Sequence, residues 1–500
     1  MYFCPVIYEK LPRMSLLNQL TPAPIWKYFE EICNIPRLSK NEGKIRHHLI
    51  DFATRKNLEY KEDSVGNILI VKPSSIGFDS RKTIVLQSHM DMVGEKNADY
   101  VHNWETDPII PFIEDGWVGA KGTTLGADDG IGIASQMAIL TDKTLQTGRI
   151  ECLFTIDEES GMTGAINLKT DFFTGNTLIN LDSEDEGVLY IGCAGGMDTV
   201  GTLKYFPAKS NPDSSAFEIS VTGLHGGHSG DEIHRGYGNS VKIMNSLLCN
   251  LSDHFGISLS RFNGGNLRNA IPREAFATFI VKNSLAPKLK SSIDSYSNSL
   301  RDEFGSLEPD LKITIKSVEL PTSVMDSGNQ AKLFTALKEC PHGVLSWSKE
   351  MENLVETSTN LASVKFLEEN IIKITTTQRS SIESSKNEAA GMVEASLKLA
   401  GANVVSSDGY PGWKPNISSE ILKITRASYI KLFSKEPKTR AIHAGLECGL
   451  IYEKNKSIDM ISIGPTIKGA HTPQEMINIE STKMFWDLLV DVIHNFQKGQ

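Results

Sequence analysis

The stretch TIVLQSHMDMV, residues 83–93, decides the class of fold. Thr83 to Leu86 is a short apolar run suited to a strand, and His89 and Asp91 follow it. Runs of the same kind recur at Asn67 to Val71 (NILIV), Ile150 to Ile156, Thr177 to Leu181 and Ile458 to Ile463 (IDMISI). Helical patterns lie among them, one over Ile131 to Leu140. An earlier one spans LTPAPIWKYFEEICNI, with Thr21 as the expected N-cap and Pro22 just inside. Strands alternating with helices predict an α/β fold with a mainly parallel sheet covered on its faces.

The texture changes beyond about residue 205. Ala216 to Val221 alternates like a half-buried strand. Asn239 to Cys249 reads as a helix and Ala275 to Val281 as a strand. Helical patterns follow near 286–305 and 329–339, then a strand over Ile371 to Thr377 and a helix over Lys386 to Ala400. The breakers of GYPGWKP (409–415) end this region. The expected organisation is a discontinuous catalytic domain, 1–204 plus 409–500, interrupted by an inserted α+β domain at 205–408. Residues 1–14 read as an N-terminal extension. A chain of 500 residues exceeds what one core holds, ~250–300, so at least two domains are expected.

Composition excludes several classes. The net charge is −10 and no long Lys/Arg block occurs, which argues against a nucleic-acid partner. No apolar run approaches the ~18–20 residues of a membrane span, and the N-terminus lacks the long apolar region of a signal peptide. The seven cysteines are scattered without a CxxC pair, as expected of reduced thiols in a cytoplasmic protein.

Five segments carry side chains able to hold a metal, each just after a strand or at the start of the helix that follows one. In 83–93, His89 and Asp91 share a face at i and i+2, so Asp91 can orient the His89 ring. In GTTLGADDGIGIA (122–134), Asp128 lies between a Gly-rich turn and a helix, where its two oxygens can bridge two cations. Asp129 is then the better N-cap. In ECLFTIDEESGMTGA (151–165), Glu158 and Glu159 adjoin at a strand end, and a ligand beside a general base would separate their roles. Asp182 is the first acid after the strand in TLINLDSEDEG (177–187), while Glu184, Asp185 and Glu186 read as a solvated loop. His471 lies in a loop after the strand of MISIGPTIKGAHTPQE (460–475). Each alone has a bland reading as a cap or surface residue. Together they suit two cations sharing Asp128, with His89 and Asp182 on one and Glu159 and His471 on the other. Nitrogen and oxygen ligands without thiolate suit Zn, Mn or Co.

These blocks, in this order, resemble the aminoacylase/carboxypeptidase family of two-metal peptidases, and within it the aminoacyl-histidine dipeptidases. The resemblance runs from about Leu17 to near the C-terminus. It rests also on GLHGGHSG (223–230), FNGGNLRNAIPREAFAT (262–278), VETSTN (355–360), GYPGWKP, IHAGLECGL (442–450) and SIGPTI (462–467). It implies two divalent metal ions per subunit, with zinc the expectation, Glu158 as general base and Asp91 orienting His89. It also implies hydrolysis of dipeptides, Xaa-His among them, in a cytoplasmic homodimer. The inserted domain becomes a lid and dimerisation domain in which His228 stabilises the oxyanion, and Asn269 and Arg379 bind substrate. The Arg379 fork suits a substrate carboxylate, with a structural salt bridge as the alternative. For His225 and His234 structural roles are expected. The segment QRSSIESS (378–385) fits the subgroup loosely, and residues 1–13 have no counterpart in the family core. Competing functions are an N-acyl amino acid deacylase or a tripeptidase on the same scaffold. From another class comes a catalytically silent metal-binding protein, which typically lacks a ligand or the base.

Overall fold

A computed structural model describes residues 16–498. They form two compact units, one of residues 16–191, 416–440 and 450–498, the other of 192–415 and 441–449. The extension expected over residues 1–14 lies outside the described residues, as does Cys4; the six described cysteines are free.

The first unit is built on strands Glu59–Glu62, Ile68–Lys72, Ile150–Thr155, Ile84–His89, Thr177–Asn180 and Asp459–Ser462, adjacent in that order. Two further strands, Val188–Cys193 and Lys438–Ile442, complete eight and carry the chain across the unit boundary. The four strands from Ile150–Thr155 to Asp459–Ser462 are mutually parallel. Every residue of Ile84–His89, Ile150–Thr155 and Thr177–Asn180 is buried, which explains their unbroken apolar sequences. Leu86 and Phe154 are fully buried, and cutting Leu86 to Ala would cost about 2–5 kcal/mol.

Helix Ala127–Thr141 is buried almost all round, as its apolar sequence requires. Asp128 and Asp129 are not helical in φ and ψ, so regular turns begin at Gly130. The Asp129 carboxylate accepts the Gly132 N–H at 3.0 Å, the capping role expected of it. The first helix, Ala23–Cys33, corrects the sequence reading at its start. Pro22 occupies the cap position, no side chain caps it, and Thr21 lies outside.

A second, four-stranded sheet in this unit joins Ile467–Lys468, Met476–Asn478, Trp117–Ala120 and Pro111–Glu114. Pairing of Ile467 with Ile477 and Lys468 with Met476 makes residues 469–475 the tip of a hairpin. His471 sits on this tip with φ +62°, a left-handed conformation uncommon for a residue with a side chain.

The other unit holds a nine-stranded antiparallel sheet. Eight strands run Lys312–Val318, Ser214–Thr222, Ala275–Lys282, Ser258–Gly264, Val355–Leu367, Ile371–Ser380, Gly195–Lys204 and Asn403–Ser406, and Gly343–Trp347 pairs with Val355–Leu367 off this path. Helices Ser240–Phe255, Ala286–Phe304, Ser327–Glu339 and Glu383–Leu399 complete it. Their core includes Leu247, Leu289, Leu333, Val393, Phe262 and Phe279. The boundaries differ from 204 and 409. Gly195–Lys204 pairs along its length with Ile371–Ser380, so the second unit begins at Gly192. The short return 441–449 also belongs to it, which the sequence reading assigned to the catalytic domain.

Candidate metal centre

The carboxyl ends of parallel strands leave the next residues unpaired and pointing out of the sheet, the usual place for a site in such folds. Three strands and one hairpin of the first unit use this. His89 ends its strand and is 1% exposed. Its Nε2 lies 3.0 Å from Asp128 Oδ1 and 3.2 Å from Asp182 Oδ1, and Asp182 follows the strand Thr177–Asn180. The Nε2 of His471 lies 3.2 Å from Asp128 Oδ2 and 3.0 Å from Glu159 Oε2. Asp128 thus turns one oxygen to each histidine.

Asp91 works from behind. Its Oδ1 is 3.4 Å from His89 Nδ1, and its two oxygens accept the Glu158 and Glu159 N–H groups at 3.0 and 3.1 Å. Ser39 donates to it at 2.8 Å. One buried carboxylate therefore lies beside a histidine and holds the turn that presents Glu158 and Glu159. Burial opposes its ionisation, but the His89 ring and these donors outweigh burial and hold its pKa at about 2.

Charge makes the cluster unusual. Burial pushes Asp182 up to about 6 and Glu184 up to about 8, with the neighbouring carboxylates adding to both. Asp128 and Glu159 drive His471 up to about 11, and His89 also rises because Asp182, Asp128 and Asp91 outweigh its burial. Acids so crowded call for positive charge beside them. The residues fit two cations better. His89, Asp128 and Asp182 form one set of ligand atoms within 4.8 Å of one another, and Asp128, Glu159 and His471 form a second. Glu159 Oε1 is buried without a hydrogen-bond partner. Glu158 joins His89 and Glu159 in a further such group.

Glu184 is a correction. Read as part of a solvated loop, it is half-buried and faces the charges of Asp128, Asp182, His471 and Glu475. Its position two residues after Asp182, on the same face of an extended chain, was the available signal. Asp185 and Glu186 are not merely solvated either, accepting from the hydroxyls of Tyr190 at 2.6 Å and Tyr429 at 2.5 Å.

The second unit carries the other three residues. His228 Nδ1 lies 3.0 Å from Asp231 Oδ2, and its backbone N–H donates to Glu232 at 3.0 Å. Arg379 is 6% exposed; its Nη1 donates to the Tyr410 hydroxyl at 2.8 Å, and its buried Nε has no acceptor. No carboxylate pairs with it among the described residues, so the structural salt bridge weighed from sequence is absent there. Asn269 is exposed and its carbonyl accepts the Ser229 N–H at 2.8 Å. His225 pairs with buried Glu308 at 3.3 Å and stacks on Tyr237, a structural role, and His234 is exposed in a short 3-10 turn.

Two groups of potential ligands that share one carboxylate, set beyond the ends of parallel strands, suit a hydrolase that works with divalent cations. A model of Peptidase family M20/M25/M40 matches residues 85–495. The cytosol non-specific dipeptidase of Escherichia coli is 41% identical over 480 residues, 96% of this chain and 99% of the relative. The crystal structure of aminoacylhistidine dipeptidase from Vibrio alginolyticus matches with a TM-score of 0.89 at 41% identity, covering 96% of this chain and 98% of that one. A tripeptidase from Staphylococcus aureus shares the fold at a TM-score of 0.56 and 16% identity, over 96% and 99% of the two chains. The chain belongs to Peptidase family M20/M25/M40 and is a peptide-bond hydrolase. No described helix is long and apolar enough to cross a membrane.

Proposed function

We propose that this enzyme is a cytosolic dipeptidase that cleaves Xaa-His dipeptides with two metal ions, zinc by expectation, held across Asp128. The observation that carries the reading is the position of Asp128, one oxygen 3.0 Å from His89 and the other 3.2 Å from His471. His89 and Asp182 complete one ligand set, Glu159 and His471 the other. The names of the Escherichia coli and Vibrio alginolyticus relatives support the substrate class.

Bound cations would lower the pKa of a water towards ~7 and polarise the scissile carbonyl. The chain's own residues do the rest. Glu158 takes the proton from the attacking water and returns it to the leaving amine. Asp91 keeps the His89 ring in place and its tautomer fixed. His228 donates to the developing oxyanion, Asn269 holds the substrate backbone, and Arg379 receives the substrate carboxylate, its buried Nε being free of any acceptor. The second unit is assigned the part of lid and dimerisation domain, with a homodimer as the working assembly. Sedimentation velocity tests that assembly: a monomer would remove it.

The test of function is a panel of Xaa-His, Xaa-Gly, tripeptide and N-acetyl substrates, assayed after chelation and after return of Zn, Mn or Co. Metal-restored cleavage of Xaa-His dipeptides is the expected result. Cleavage of acylated or longer substrates alone would replace the substrate class. Two bound ions with no turnover would leave a silent metal-binding protein.

A further inference from the structure

Two buried, oppositely charged side chains outside the ligand set grip the same turn. Arg37 is 2% exposed, and its three hydrogen bonds all go to backbone carbonyls. Nη1 donates to Met90 at 3.0 Å and Asp91 at 2.6 Å, and Nη2 donates to Gly126. Glu475, also 2% exposed, accepts four consecutive backbone N–H groups. Its Oε2 takes those of Leu125 and Gly126 at 2.8 and 2.9 Å, its Oε1 those of Ala127 and Asp128 at 2.7 and 3.3 Å.

Burying a guanidinium or a carboxylate is costly unless its bonds are specific. Here every bond goes to a segment that carries a ligand. Met90 and Asp91 follow His89, residues 125–128 end at Asp128, and Glu475 lies four residues after His471 on the hairpin tip. Gly126 is held through both of its peptide groups, its carbonyl by Arg37 and its N–H by Glu475. Gly126 has φ +70°, and a Cβ there would meet Arg37 Nη2 at 2.7 Å and Met92 Sδ at 2.8 Å, so the turn admits no side chain. Placing a further carboxylate beside Asp128, Asp182 and Glu184 adds repulsion, which an acceptor of four N–H groups can offset and a merely space-filling residue would not.

We propose that Arg37 and Glu475 are positioning residues, a clamp that fixes the Asp128 bridge and the His89 and His471 segments before any cation binds. The inference rests on the reading of Asp128 as the shared ligand. Its consequence is a preformed site, in which the two metal affinities depend on residues that touch neither ion.

The decisive comparison uses the full-length protein, wild type, Glu475→Gln and Arg37→Lys, stripped of metal and titrated with Zn²⁺ against a chromophoric chelator. Glu475→Gln keeps the shape but turns an NH2 group towards N–H donors. Wild type binds two equivalents; each variant weakens the poorer of the two sites by about 10- to 100-fold and alters the visible spectrum of the Co²⁺-loaded protein. Unchanged zinc affinity and cobalt spectrum with only a lower Tm would overturn the clamp, leaving the two residues structural. Fewer than two equivalents in wild type would overturn the bridge reading itself, and the clamp with it. Should either variant fail to fold, hydrogen exchange on the metal-free wild type decides. Slow exchange of the 125–128 amides before Zn²⁺ is added supports the clamp, and fast exchange that slows only on addition refutes it.

Discussion

The two units place their functional candidates by different means. In the first, parallel strands end side by side, and Asp182, Glu159 and the His89–Asp91 pair emerge at neighbouring ends. Topology alone concentrates charge there. In the second, strands are antiparallel and side chains alternate between faces, so a polar residue such as Arg379 or His228 has no shared end to point to. Its neighbours, Tyr410 and Asp231, are specific to that spot. The lesson is that a site made by convergence of strand ends shows in the order of residues, while a site made of individual positions does not.

Breaking the bridge should do the most damage. Asp128→Ala removes the proposed shared ligand, and peptidase activity should vanish with loss of bound metal, read by elemental analysis after gel filtration. Retention of two ions would contradict the shared-ligand assignment. Glu158→Ala comes next: turnover should fall by about 10²–10⁴ while both ions stay, as expected when a general base alone is removed. Metal loss in that variant would move Glu158 into the ligand set. Asp91→Asn should weaken metal binding by about 10- to 100-fold, since the amide turns a donor on the N–H groups of Glu158 and Glu159. In the second unit, Arg379→Lys should raise KM about tenfold or more for dipeptides with little change in metal content, because a Lys loses the planar fork. An unchanged KM would strike Arg379 from the substrate site.

The smallest expected effect concerns pH. His443 is 7% exposed and accepts or donates to Ser358 Oγ at 2.7 Å. Burial, with the Arg379 charge nearby, pushes it down from 6.5 to about 3. Between those values the unfolded chain binds a proton that the folded one refuses. Stability is therefore complete above about pH 6.5 and is lost as pH falls towards 3, by at most about 1.4 kcal/mol per unit. Urea unfolding of wild type and His443→Gln at pH 7 and pH 5 should show a shallower pH dependence in the variant. Equal slopes would mean that His443 is not buried in its neutral form.

Much of the first unit was legible because its signals are local. A strand such as TIVL announces itself by its apolar run, and the metal-capable residues His89 and Asp91 stand at and just past its carboxyl end. The same logic fell short at Glu184, where an acidic run suggested solvent and the fold instead turns the residue towards Asp182. It fell short at Gly195–Lys204 too, since nothing in that segment says which sheet a strand joins; its partner, Ile371–Ser380, lies far along the chain. The segment 441–449 is nine residues of one unit's sequence folded into the other, too short for a change of texture to mark. Arg37 and Glu475 left no trace either. Their bonds are to backbone groups, which every sequence possesses, so only the folded path of the chain gives them partners.

The central claim is that Asp128 holds two cations between His89 and His471. An anomalous difference map from crystals grown with Zn²⁺ tests it directly. The account predicts two peaks flanking the Asp128 carboxylate, one beside His89 and Asp182, the other beside His471 and Glu159. A single peak, or two peaks that do not share Asp128, would contradict it.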